Sequence, residues 1–175
     1  MKYKVKSLIT AFDDCDVDMM GHQCNCFCKM GSGIAPVIAN RWPEARAVDN
    51  KTMAMGIKKL GNWTCALVAR TGGVSGTIIN FYGQYYPGKT TVLDVGSIYD
   101  GLERYEALRH SLRAFNVSIT SLPAGFTIGL PKMGAGIAGG DWEIISQIIE
   151  EEITNIDPII CVLSAEDVPA NGEIV

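Results

Sequence analysis

Two glycine-bearing stretches constrain this chain more than any other feature. The first lies in Val17–Pro43, VDMMGHQCNCFCKMGSGIAPVIANRWP, and the second is Leu130–Gly140, LPKMGAGIAGG. Each follows an apolar run and precedes a helical pattern. In the first, Val17–Gly21 reads as a buried strand, His22–Gly33 as a polar loop, and the segment from Ile34 to Arg41 as a helix. That helix should stop near Trp42, because a residue before proline is pushed out of the helical region. A strand that ends in a glycine loop and passes into a helix gathers backbone N–H groups where an anion can sit. Two such loops can close on a diphosphate from opposite sides.

The remaining pattern sets the fold class. Lys4–Ile9 reads as a first strand and Ala11–Asp16 as a polar turn, since aspartates favour loops and caps. Glu44–Asn62 reads as a polar surface excursion. Trp63–Ala69 and Thr77–Tyr82 are β-prone runs joined by RTGGVSG, which predicts a hairpin. Gly88–Tyr99 reads as a loop. Leu102, Tyr105, Leu108, Leu112 and Phe115 recur at helical spacing, Phe126–Leu130 is a short buried strand, Trp142–Ile153 is amphipathic, and Ile159–Leu163 closes the pattern as a strand. Interleaved strands and helices with a central hairpin predict a mixed sheet covered by helices, a three-layer α/β/α sandwich. The 175 residues suit a single domain spanning 1–175.

A formal charge of −4 and a pI near 5.1 disfavour a broad footprint on duplex nucleic acid, while a local basic pocket for a nucleotide stays open. The basic start, Met1–Lys6, is followed by too short an apolar run for a signal peptide or a membrane span, so a cytoplasmic protein is expected. Of the six cysteines, Cys24, Cys26 and Cys28 alternate and Cys15, Cys65 and Cys161 are scattered. No CxxC pair or neighbouring histidine pair supplies tetrahedral ligands, so reduced thiols are expected and no metal or cofactor is assigned.

HQCNCFCKMGSGIA, then INFYGQ, then LPKMGAGIAGGDWEII resemble a macro domain, closest to the small stand-alone macro-domain proteins of bacteria and bacteriophages. The resemblance runs from about Val17 to Ile153. It implies an α/β/α sandwich that binds ADP-ribose. Gly31, Ser32, Gly33, Ile34 and Ala35 would form one phosphate loop. Gly134, Ala135, Gly136, Ile137, Ala138, Gly139 and Gly140 would form a second around the diphosphate and distal ribose, and Asn25 would touch that ribose. Ala11 stands where many members hold adenine with an aspartate, leaving Asp13 or Asp14 as substitutes. A subgroup with a catalytic aspartate after the first glycines would need it near Ala35, where none stands. Another, working through a lysine adduct and a second-loop aspartate, finds Gln84 and Ala138 there. What remains resembles the ADP-ribose 1″-phosphate phosphatases of the class, with a histidine just before the Asn-Cys pair. The implied ligand is a small nucleotide, ADP-ribose or its 1″-phosphate.

On that reading His22 is the general base or nucleophile and Asp141 its assistant. The residues alone equally allow a His22 that only orders its loop, since buried histidines find partners, and an Asp141 that caps the following helix. Asn80 and Tyr82 line the ribose or adenine end, or are ordinary strand-end polar groups. The alternatives to a phosphatase are an ADP-ribosyl hydrolase acting on modified macromolecules and a non-catalytic ADP-ribose binder.

Overall fold

The structure, a computed structural model, describes residues 1–89 and 101–175, and all of their side chains except those of 101–104. One seven-stranded sheet runs through it, in the order β3-β4-β2-β5-β6-β1-β7. The strands are β1 (Lys2–Val5), β2 (Met19–Asn25), β3 (Trp63–Ala69), β4 (Ser75–Gln84), β5 (Thr127–Leu130), β6 (Asp157–Val162) and β7 (Glu173–Ile174). Among these strands only the β3–β4 pair is antiparallel, the hairpin expected from the sequence. Every other pair is parallel.

Period-two alternation sends neighbouring residues to opposite faces and so builds two cores. On one face Met19, Ile79, Phe81 and Ile160 pack with Leu108, Leu112 and Phe115 of α4 (Gly101–Ser118) and Ile145, Ile148 and Ile149 of α5 (Trp142–Glu152). On the other, Met20, Ile78, Ile159 and Cys161 pack with α1 (Leu8–Asp13), α2 (Ala35–Arg41) and α3 (Pro43–Lys51). This is the three-layer α/β/α sandwich with a mixed central sheet. The pleat admits no side chain at two strand positions: a Cβ on Gly21 would lie 2.6 Å from Phe81, and one on Gly129 would lie 2.7 Å from Leu8.

Several local expectations are corrected. The first strand ends at Val5, and α1 takes the end of the segment read as that strand and the first half of the segment read as a polar turn. Ser7 caps that helix, its hydroxyl accepting from the Thr10 N–H at 3.1 Å, and Leu8, Ala11 and Phe12 supply a buried stripe. β2 runs on through His22 to Asn25, so the loop begins four residues later than expected. The stretch read as a surface excursion begins with α3, which has Pro43 in its first turn, and continues into a 3₁₀ segment, Met53–Lys59. The two-residue β7, which pairs with β1, was not anticipated. The loop expected over Gly88–Tyr99 lies, beyond Lys89, outside the described residues.

Candidate functional site

The carboxyl ends of β2, β4 and β5 open into a cavity of about 210 Å³. In sheets of this kind ligands bind beyond the carboxyl ends of the parallel strands. β2 and β4 slip in register between Gln23 and Asn25, β4 carrying one extra residue, so the last residues of β2 leave the regular ladder at the cavity's edge.

Both glycine loops reach this cavity. Ser32, Gly33, Ile34 and Ala35 line it from one side, and Gly134, Gly136, Ile137 and Ala138 from the other. His22, Asn25, Lys29 and Lys132 also line it. Gly31, Ala135, Gly139 and Gly140 shape the loops without lining the cavity. The second loop is closed by backbone bonds, Gly140 N–H to Gly134 O at 2.8 Å and Gly139 N–H to Gly136 O at 2.9 Å. Gly134 sits at φ 75°, in the left-handed region that favours glycine. A Cβ on Gly140 would stand 2.7 Å from the Gly134 carbonyl oxygen, a backbone atom that cannot swing aside. Gly140→Ala is therefore expected to open the loop and cost about 1–3 kcal/mol of stability, measured as a lower Tm and denaturation midpoint than wild type.

Asn25 holds its own turn. Its Oδ1 accepts from Phe27 N–H at 3.0 Å and Lys29 N–H at 3.2 Å, and its Nδ2 donates to the Lys29 carbonyl at 2.9 Å. Asp141 lies off the cavity wall and caps α5, its Oδ1 accepting from Glu143 N–H at 2.9 Å. Asp13 and Asp14 are also remote from the cavity: Asp13 pairs with Arg41 and accepts from Thr71 N–H, and Asp14 pairs with Lys6. Gln84, which stands where the resemblance would call for a lysine, lines the cavity; it accepts from Gln23 and donates to the Tyr86 carbonyl.

His22, 1% exposed, belongs to a hydrogen-bonded network that runs back from the cavity wall. The Asn80 amide nitrogen donates to Ala45 O and to Thr64 Oγ1, both at 3.1 Å, which fixes Asn80 Oδ1 as the acceptor facing His22 Nε2 at 2.8 Å. Nε2 therefore carries the proton and Nδ1 the lone pair. Cys24 Sγ lies 3.6–3.7 Å from the two ring nitrogens. Burial pushes the imidazolium down to about 4, and the Asn80 bond and the Asp49 charge offset only part of this. At neutral pH the ring is uncharged.

Asn80 does not line the cavity, and the network runs on through Tyr82 to residues outside the sequence-based site. Tyr82, which does not line the cavity, donates to Asp49 Oδ1 at 3.0 Å and shares a 2.8 Å bond with Thr64. Lys59 Nζ lies 2.5 Å from the same Asp49 oxygen and 3.0 Å from Cys28 Sγ, with the Tyr82 ring 4.2 Å away. Burial acts to lower the Lys59 pKa, but the hydrogen bonds and charges of Asp49 and Cys28 outweigh it, so the ammonium is retained and is no nucleophile. Asp49 lines the cavity. Burial raises the thiols of Cys24, Cys26 and Cys28, that of Cys26 to about 12, so none is a ready thiolate. The described residues contain no group of three potential metal ligands. No helix among them is long and apolar enough to cross a membrane.

No family model matches the chain. It is 28% identical over 143 residues to the uncharacterized 17.5 kDa protein of the tk-vs intergenic region of Enterobacteria phage T4, covering 81% of this chain and 83% of that protein. It is 26% identical over 153 residues to the DNA ADP-ribosyl glycohydrolase of Mycobacterium tuberculosis, covering 83% of this chain but only 38% of that protein. Among solved structures, the macrodomain of Mycobacterium tuberculosis DarG superposes with a TM-score of 0.67 at 23% identity, over 93% of this chain and 97% of that one. Thermosipho africanus DarTG in complex with ADP-ribose gives 0.65 at 14% identity, over 90% and 41%. The similarity to those two solved structures extends through nearly the whole of this sheet and its flanking helices, and the chain has the macrodomain fold.

Proposed function

We propose that this chain binds ADP-ribose in the cavity and hydrolyses a bond at C1″ of its distal ribose, releasing ADP-ribose from a modified macromolecule. The observation that carries the reading is the convergence of both glycine loops and Asn25 on one cavity at the carboxyl ends of the parallel strands. Loop N–H groups would replace the water that a diphosphate loses, with Lys29 and Lys132 adding positive charge. The second amide hydrogen of Asn25 would meet the distal ribose. His22, uncharged at neutral pH and with Nδ1 as its lone-pair atom, would accept the proton of the attacking water. A base with a pKa near 4 has the strength of a carboxylate without its charge.

A macromolecular leaving group is supported by the aromatic surface next to the cavity. Phe27 and Tyr86, 38% and 39% exposed, stack at 5.0 Å and 13°, and Tyr85 packs edge-on against both. In sequence they sit between the cavity residues Asn25 and Lys29 and between Gln84 and Pro87. An exposed aromatic face is a platform on which a nucleobase stacks, worth about 1–3 kcal/mol per base. The DNA-directed name of the mycobacterial relative points the same way.

The phosphatase reading keeps one observation in its favour, the two cavity lysines, which suit a terminal phosphate. The deciding experiment offers the purified protein ADP-ribosylated single-stranded DNA and ADP-ribose 1″-phosphate side by side. Release of ADP-ribose from the DNA, lost in His22→Asn, supports the first reading. Phosphate release alone establishes the second, and binding of ADP-ribose without either product leaves a binder.

A further inference from the structure

One residue of the cavity lining carries a hydrogen-bond acceptor that the described residues leave unused. Asp49, carried on α3, is 1% exposed and lines the cavity. Its Oδ1 takes both available donors, the Tyr82 hydroxyl and the Lys59 ammonium. Its Oδ2 is buried and has no hydrogen-bond partner among the described residues. Buried carboxylate oxygens are otherwise paired, and an unpaired one marks a place where a partner is missing.

We infer that Asp49 Oδ2 is a specificity-determining contact, accepting a hydrogen bond from a hydroxyl of the ligand's distal pentose. The inference rests on the ADP-ribose reading. The directions of the surrounding bonds support it. With the Asn80 amide donating to Thr64, the Thr64 hydroxyl is left to donate to the Tyr82 oxygen, and Tyr82 passes its own hydrogen to Asp49 Oδ1. Every donor in this relay points toward Oδ1, and none turns to Oδ2. The Asp49 charge reaches His22 and Cys24 of β2, and His22, Cys24 and Asn25 line the cavity with it, so the free acceptor belongs with the β2 residues among which Asn25 would meet the pentose.

The chemistry selects the class of group that fits. A carboxylate oxygen accepts only, so it takes a neutral hydroxyl and rejects a phosphate oxygen. Lys59 balances the charge of Asp49, so the pair creates no field that would attract an anion into this recess. The diphosphate belongs at the glycine loops, and the sugar at Asp49. ADP, which shares the adenosine diphosphate but has no distal pentose, cannot use this contact.

Calorimetric titration of wild type and Asp49→Asn with ADP-ribose and with ADP tests the assignment. Wild type is expected to bind ADP-ribose at least about 10-fold more tightly than ADP, the smaller end of what a hydrogen bond to a charged group gives. Asp49→Asn should lose about 10- to 100-fold on ADP-ribose by the same reckoning and leave ADP affinity unchanged. Equal loss on both ligands, loss on neither, or wild-type affinities that do not differ would overturn the inference while leaving the ADP-ribose reading in place. Wild type that binds neither ligand would remove the reading itself and the inference with it. Since Asp49→Asn alone would strand the Lys59 ammonium, the pair Asp49→Asn with Lys59→Met is titrated alongside, with the same selective loss expected.

Discussion

Acidification from pH 7 to about pH 4 is expected to remove roughly 3 kcal/mol of folding stability through His22 alone, most of it above about pH 5, where ordinary carboxylates are still ionised. The native imidazole is held near 4 by burial, against 6.5 for the unperturbed side chain. Between these values the unfolded chain binds a proton that the folded chain refuses. Stability then rises with pH across the window, is complete above about 6.5, and is lost as pH falls toward 4. Urea denaturation midpoints from pH 7.5 to 4.5 would show this slope. In His22→Asn the slope in that window should flatten. The variant will be weaker overall, because the Asn80 carbonyl loses its partner, so the comparison is of slopes and not of absolute values. A wild-type slope no steeper than the variant's would mean that the ring finds solvent or a counter-charge in solution. The other depressed groups, Asp13, Asp16, Glu151 and Glu152, titrate below the ordinary carboxylate range, so their losses come at lower pH.

The same burial constrains chemistry. If His22 acts as the base for hydrolysis, the acid limb of the rate profile should turn near pH 4, with no inflection between 6 and 7. A histidine inflection near 6.5 would show that the catalytic ring is solvated, contrary to its place in the structure. Assays buffered between pH 5 and 8 on folded protein separate these outcomes.

How far each element was legible in the sequence depends on what its signal answers to. The glycine loops and the hairpin were legible because their residue types answer local backbone requirements. Gly134 adopts a positive φ, and Gly140 leaves room for a carbonyl. α5 was legible because Ile145, Ile148 and Ile149 form one buried stripe. α1 was split between a run read as strand, Lys4–Ile9, and AFDDCD, where three aspartates outweighed a short apolar stripe that only tertiary packing makes decisive. β2 was cut short because its polar end, His22 to Asn25, is buried by a network and not by apolar neighbours. Asp49 and Lys59 were invisible for a similar reason. Charged side chains in a polar stretch are nearly always solvated, and no local pattern around either residue says that the two will pair beneath Tyr82. A faint signal existed in Pro43-Glu44, which suits a helix start, with Ala45, Val48 and Asp49 on one face of the helix that Pro43 opens.

That buried pair gives the largest expected effect of a single substitution on stability. Lys59 is 0% exposed and gives Asp49 its only positive partner among the described residues. Its Nζ is held by the Asp49 carboxylate, the Asp49 backbone carbonyl and the Cys28 sulfur, above the Tyr82 ring. Lys59→Met keeps most of the volume but leaves a carboxylate uncompensated in the interior, for which about 3–5 kcal/mol is the usual cost. Asp49→Asn alone has the mirror defect. The double substitution removes both charges and is expected to be more stable than either single variant, because replacing a buried pair by neutral groups is often close to neutral. A double-mutant cycle from urea midpoints would give the coupling directly. Additive losses would mean that the two charges do not sense one another, and the 2.5 Å contact would not persist in solution. Strong coupling would show that the pair fixes α3 and the 3₁₀ segment against β4 and thereby holds the Asp49 carboxylate at the cavity wall. If so, keeping the charge with Lys59→Arg should still fail, since a planar guanidinium is too large for a site closed by Tyr82 and Cys28.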